Sequence, residues 1–293
     1  MTDDSPTIYY NDGGEVVPLF TLPPTFRADQ ASCFAFALPK SGSVLLHNLL
    51  SAACAKIGLT YVSIMEEFFK LGLADPMVPA ETTKIFLRQG YCYGGFRNVP
   101  PQVDIPLIGE CAAVVLVRDP RDMLVSHFFS SAYSHPDRGN KLKTSKPGVA
   151  MRDFAANSDI DAYVLRIARG YRTMFTRYRN LLSGQERVAV YRYEDVIYRK
   201  AEWLKDIRSH FGWKELTDQQ TIDIASRYDV FPENEEVTSH IRSVHPGDYR
   251  SKLKRETVAE LNGFLERELT EFGYLEGREN AGLKWRGWEE RQT

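Results

Sequence analysis

The chain has 293 residues, enough for one large domain or two small ones. Its 43% apolar content supports a substantial core, while 37 Lys and Arg against 39 Asp and Glu leave a net charge of −2. That balance excludes a strongly basic nucleic-acid binder working by bulk electrostatics, and no apolar run approaches the roughly 20 residues that span a bilayer. The first residues are acidic and polar, unlike a secretory signal. Cys33, Cys54, Cys92 and Cys111 show no metal-ligand spacing, so free thiols in a reducing, cytoplasmic setting are expected.

Asn11-Asp12-Gly13-Gly14 lies between alternating apolar residues and predicts a hairpin from Ile8 to Phe20, ended by Pro23 and Pro24. The apolar run Cys33 to Leu38 predicts a strand buried on both faces. Beyond Pro39-Lys40-Ser41-Gly42-Ser43, Leu45, Leu46, Leu49, Leu50, Ala53 and Ile57 recur at helical spacing until Gly58. Tyr61 to Met65 predicts a second strand, with a helical turn beginning at Glu66. Ala112 to Val117 is the clearest buried strand, and it runs through Arg118-Asp119-Pro120-Arg121-Asp122 into another helix. The stretch from His135 to Gly148, with Lys141, Lys143 and Lys146, is the least structured and suits either a lid or a solvated connection.

Further along, Ile160 to Leu182 predicts a long amphipathic helix, Arg187 to Tyr193 a strand and Ala201 to Phe211 a helix. Val258, Leu261, Leu265, Leu269 and Phe272 mark one last helix, stopped by Gly273. The strand–turn–helix alternation predicts a single α/β domain over residues 1–293, a central parallel sheet with helices on both faces. The hairpin (about 1–30) and a tail (about 277–293) are appendages. Ligands of such sheets bind at the carboxyl ends of the strands.

Two of those ends carry chemistry. A strand running into Lys40-Ser41-Gly42-Ser43 and a helix makes an anion cradle: unpaired amides, a positive helix end, a glycine for close approach and a lysine. The same residues also make a plain tight turn with an N-cap serine. The nucleotide-kinase pattern Gly-x-x-x-x-Gly-Lys-Ser/Thr is absent, because the lysine precedes the glycine. In the second segment, Asp119 is a good N-cap, Pro120 suits the first helical position and Asp122 suits a capping box. Arg118 is unexplained by capping, since it sets a cation beside a positive helix end. Ser126 lies two turns along, where it could share an anion with Arg118.

Taken together, Pro39 to Ser43 and Arg118 to Phe128 resemble the two cofactor motifs of sulfotransferases that use 3′-phosphoadenosine 5′-phosphosulfate (PAPS). Tyr193-Glu194-Asp195 resembles the family's Tyr-Glu-Asp, and Arg242 to Lys252 resembles its RKGxxGDWK segment, so the similarity runs from about residue 33 to 274. The resemblance implies a P-loop NTPase-like sulfotransferase fold and sulfuryl transfer from PAPS to a hydroxyl or amine, leaving the desulfated nucleotide PAP, with no metal. Lys40 and the backbone of Ser41, Gly42, Ser43 and Val44 would hold the 5′-phosphosulfate, with Lys40 stabilising the leaving group. Arg118 and Ser126 would hold the 3′-phosphate, Tyr193 would contact the adenosine side and Arg242 would close on the 3′-phosphate. The sequence departs from the family where Leu45 replaces the aromatic residue often found to stack on adenine, and where Ser243-Val244 replace Lys-Gly.

The family's usual histidine base is missing from the stretch Tyr91 to Asn98. Relatives that act on polysaccharides use a glutamate after the second strand, which points to Glu67 and next to Glu66; an acidic first helical turn is the alternative. His127 is expected to pack against the sheet, and His47 to be a surface or lining residue. Phe68, Phe69, Tyr91, Tyr93 and Phe96 read as core ahead of acceptor lining. The acceptor would be a small molecule, lipid or glycan. Two other readings stay open: a kinase-like phosphotransferase, and a degenerate nucleotide-binding module without catalysis.

Overall fold

The computed structural model describes residues 5–134, 149–231 and 244–275. Arg242, the stretch from His135 to Gly148 and the tail at 277–293 lie outside the described residues. Strands β1 (Thr7–Asp12) and β2 (Glu15–Thr21) form the antiparallel hairpin. Gly13 and Gly14 turn it with φ of 66° and 100°, and the Gly14 amide donates to Asn11 Oδ1 at 2.7 Å.

Five further strands make the main sheet: β3 (Cys33–Ala37), β4 (Thr60–Val62), β5 (Tyr91–Phe96), β6 (Ala112–Val117) and β7 (Val188–Arg192). All pair in parallel, in the spatial order β4-β5-β3-β6-β7. The first strand of this sheet in chain order is therefore its middle one. The chain leaves β3 for β4 and β5 on one side and then crosses to β6 and β7 on the other, which opens a crevice at the carboxyl ends of β3 and β6.

Helices follow in chain order as α1 (Ser43–Ile57), α2 (Ile64–Lys70), α3 (Pro120–Phe129), α4 (Val149–Ala156), α5 (Ile160–Leu182) and α6 (Tyr193–Val196). Then come α7 (Lys200–Phe211), α8 (Asp218–Arg227), α9 (Tyr249–Lys252), α10 (Arg255–Phe264) and α11 (Glu266–Glu271). Strand residues divide between two cores with period two. Phe34 and Phe36 of β3 join the hairpin, α3, α5, α10 and α11, whereas Cys33, Ala35 and Ala37 join α1, α7 and α8. Among the described residues, no helix is long and apolar enough to cross a membrane.

Four local expectations change. Strand β4 stops at Val62, and Ile64 and Met65 are already helical, because the Ser63 carbonyl accepts from the amides of Glu66 and Glu67 at 3.1 and 3.2 Å. Strand β5 had no sequence signal, since Gly94 and Gly95 interrupt its pattern. The last helix is two, jointed at Leu265 (φ −104°, ψ 16°); the apolar stripe continues through the joint and hides it. The cysteines are also less scattered than their spacing suggests: Cys92 of β5 lies opposite Cys33 of β3, and both share one core with Cys54 of α1. Burial pushes the Cys33 and Cys54 thiols up.

Candidate active site

The turn between β3 and α1 is tight because Leu38 anchors it: its carbonyl accepts from the Ser41 amide at 3.2 Å and the Ser41 hydroxyl at 2.7 Å. The amide and the hydroxyl of Ser41 therefore both serve the turn, and the residue is fully buried. Lys40 has φ 66°, the one non-glycine residue in the left-handed region among those described. That conformation costs about 1–2 kcal/mol for an L-residue, so the surrounding turn has to impose it. Gly42 (φ 94°) is the N-cap of α1; no side chain caps this helix and no acid lies in its first turn. The positive helix end thus faces outward at Lys40, Ser43 and Val44, all half-buried.

Glycine at 42 has a second cause. A Cβ there would stand 2.9 Å from Tyr193 Cδ2 and 3.3 Å from Leu116 Cδ2. Tyr193, the first residue of α6, wedges its ring against the turn and donates its hydroxyl to the Val244 carbonyl at 2.9 Å. Above that ring, 4.5 Å from its centroid, lies the Arg118 guanidinium. Arg118 Nη1 donates to the Lys40 carbonyl and Nη2 faces Asp122, each at 3.5 Å. Arg118 is 5% exposed, and its Nε has no hydrogen-bond partner among the described residues. Burial works against its charge, but Asp122, Tyr193 and Glu194 outweigh it, so the pKa stays above the ordinary arginine value.

An elaborate scaffold holds Arg118 there. Asp119 caps α3 by accepting from the Arg121 amide at 2.9 Å, and its own amide donates to Glu194 Oε1 at 2.9 Å. Arg121 forks onto both Asp119 oxygens at 2.9 and 2.6 Å, then reaches Asn262 at 2.8 Å and stacks over Tyr249. Asp122 does not close a capping box as its spacing suggested. Fully buried, its carboxylate accepts from the amides of Gly247 at 2.7 Å and Tyr249 at 3.0 Å, clasping the C-terminal segment to α3.

Of the residues named from sequence, Lys40 to Val44, Arg118 and Tyr193 meet at one crevice. Tyr193 is 5% exposed, and its contacts are with protein groups on both faces and at the hydroxyl. Ser126 is half-buried on α3, two turns from its N-cap. Arg242 lies outside the described residues, but Val244, two residues on, is held by the Tyr193 hydroxyl. Leu45 packs half-buried against the core on the α1 side.

Next to the turn lies a cavity of about 140 Å³, lined among others by Ser43, Val44 and His47 of α1, Tyr61 of β4, Glu66 of α2 and Arg97 after β5. Glu66 Oε2 accepts from the Ser63 hydroxyl at 3.1 Å and stands 3.6 Å from His47 Nδ1; the Tyr61 hydroxyl is 3.2 Å from the same nitrogen. Glu67 is absent from the lining: it points outward and pairs with Lys70 at 2.9 Å, one residue of offset having turned it about 100° around the helix. Gly94 and Gly95 make the arrangement possible. A Cβ on Gly94 would stand 2.1 Å from the Tyr61 hydroxyl oxygen, and one on Gly95 2.0 Å from Ser63 Oγ.

The other groups fall into place by packing. Phe68, Tyr91, Tyr93 and Phe96 are core, and Phe69 is exposed. His127 packs on α5 rather than on the sheet, with its Nδ1 2.8 Å from the Tyr163 hydroxyl. His47, expected as a surface or lining residue, lines the cavity, whereas sequence reasoning missed Arg97 in the same lining and the Asp122 clasp. A histidine off the apolar stripe of the helix after an anion loop was the available signal for His47.

No protein-family model and no curated protein sequence matches the chain. Solved structures do. Retinol dehydratase in complex with retinol and PAP is similar at 14% identity and a TM-score of 0.52, over 90% of each chain. Retinol dehydratase with androsterone and inactive cofactor PAP gives 15% identity and a TM-score of 0.51, again over 90% of each chain. Mouse sulfotransferase SULT7A1 complexed with PAP has 16% identity and a TM-score of 0.49, over 83% of this chain and 88% of that one. With its five-stranded parallel sheet between helices, the chain shares the fold of the PAP-bound retinol dehydratase structures.

Proposed function

We propose that the protein transfers a sulfuryl group from PAPS to a hydroxyl or amine of a small acceptor, in a cytoplasmic setting. One observation carries this reading: Arg118, buried and with an Nε that no described residue accepts from, touches the Lys40 carbonyl at the uncapped N-terminus of α1. A buried guanidinium left short of one acceptor beside an open helix end fits a nucleotide bearing anions at two points. The fold likeness to PAP-bound proteins supports the same choice of donor.

PAPS would supply the activated sulfuryl group, whose transfer leaves growing negative charge on a 5′-phosphate. Lys40 and the amides of Gly42 to Val44 stabilise that charge, the Ser41 amide being engaged by the Leu38 carbonyl. Arg118 and Ser126 hold the 3′-phosphate, and Arg242 closes over it. Tyr193 supports Arg118 from beneath its ring and braces the turn at Gly42. The cavity beside Ser43 and Val44 receives the acceptor, with Glu66 rather than Glu67 as its carboxylate.

The test is a thermal-shift comparison of PAP with ATP, followed by transfer of ³⁵S from labelled PAPS. Stabilisation by PAP at concentrations where ATP does little, with label appearing on an acceptor, is the expected outcome. Equal stabilisation by both nucleotides overturns the donor assignment. Tight PAP binding with no transfer leaves a nucleotide-binding module.

A further inference from the structure

We infer that His47 is the proton acceptor of the transfer and that Glu66 is its positioning residue, an assignment that rests on the sulfuryl-transfer reading above. His47 stands one helical turn after Ser43, so the helix that begins at the anion loop also delivers an imidazole to the adjoining cavity. Its Nδ1 is engaged by the Tyr61 hydroxyl at 3.2 Å and the Glu66 carboxylate at 3.6 Å. A proton on Nδ1, directed at those oxygens, leaves the Nε2 lone pair as the basic site. Glu66 is itself fixed by Ser63, and both Tyr61 and Ser63 come close only because residues 94 and 95 lack side chains. The ring is thus oriented at Nδ1 by two groups that are themselves held in place, as a base requires.

The charge environment suits the role. Burial pulls the His47 pKa below its ordinary value; Glu66 on α2 pulls it upward, while Arg97 after β5 and Lys70 of α2 push it down. The imidazole is therefore neutral, and able to accept a proton, at pH 7. In the step, the acceptor oxygen forms a bond to sulfur while the sulfur–oxygen bond to the 5′-phosphate breaks, and that electron pair leaves with the phosphate beside Lys40. The acceptor O–H proton goes to His47 Nε2 and is later released to water. A base on the loop-bearing helix also compensates for the absence of histidine between Tyr91 and Asn98.

The experiment measures ³⁵S transfer from PAPS to 4-nitrophenol, 1-hexanol and N-acetylglucosamine, alongside PAP affinity by calorimetry. His47→Gln should lower kcat about 100-fold or more. KM for PAPS and affinity for PAP should stay within threefold, and imidazole added to His47→Ala should restore part of the rate. Glu66→Gln should cost less. By removing the charge that raises the His47 pKa, it should also move the acid limb of the rate profile to lower pH. Titration of the ¹³C-labelled His47 ring in the PAP complex should show the same downward shift. If His47→Gln keeps more than a third of wild-type kcat, or the His47 titration is indifferent to Glu66→Gln, the assignment is overturned while the transferase reading stands. If the wild-type chain binds PAP yet sulfates none of the three probes, both are overturned.

Discussion

Arg118 Nη1 donates to the Lys40 carbonyl across 3.5 Å, a contact between turns 78 residues apart in the chain. The pairing sets a guanidinium against the left-handed backbone of the turn between β3 and α1. Lys40 provides charge through its side chain and register through its carbonyl, which variants can separate.

Lys40→Ala removes the amine and keeps the φ 66° strain, whereas Lys40→Gly removes both. Turnover should fall by two to three orders of magnitude in each, at about 10² to 10³ for one lost oxyanion-type donor. Thermal denaturation should nonetheless rank Lys40→Gly the more stable of the two, by about 1 kcal/mol. Equal turnover in wild type and Lys40→Gly would remove the lysine from the chemistry.

Arg118→Lys keeps the charge but loses the flat face over Tyr193 and the forked donors. PAP affinity measured by calorimetry should drop about 10- to 100-fold, in line with one lost charge-assisted pair. An unchanged affinity would show that any cation suffices there.

Asp122→Ala should destabilise the protein by about 2–4 kcal/mol, because it orphans the buried Tyr249 amide and the half-buried Gly247 amide and takes the ion partner from Arg118. Hydrogen exchange should accelerate at Gly247 and Tyr249 first. Protection that survives at both amides would refute the clasp.

Gly94→Ala should leave PAP binding intact and reduce turnover, since a methyl group 2.1 Å from the Tyr61 hydroxyl oxygen must displace it from His47. A stability loss of about 1–3 kcal/mol is expected from the overpacking. Calorimetry and steady-state kinetics on the same preparation separate the two effects.

Much of the scaffold was legible in the chain. Buried parallel strands read as continuous apolar runs, so β3 and β6 stood out, and the 23-residue α5 announced itself by one long stripe. Strand β5 did not, because its glycines are there to admit Tyr61 and Ser63, and periodicity carries no record of a neighbour's bulk. Glu66 and Glu67 were indistinguishable for a related reason. Which of two adjacent carboxylates enters a cavity depends on where α2 starts, and the Ser63 carbonyl sets that start two residues earlier than the apolar run suggested.

The sequence by itself determined the parallel α/β scaffold and the two strand-to-helix turns after β3 and β6, since burial patterns and helix-end chemistry are local properties of a few consecutive residues. Tertiary structure alone decided that Arg118 rests between Lys40 and Tyr193, that Asp122 clasps residues 247 and 249, and that His47 meets Glu66 over a glycine pair. Each of these joins side chains from different elements. Their meeting depends on strand order and on the space left between packed elements, which no single stretch of chain encodes.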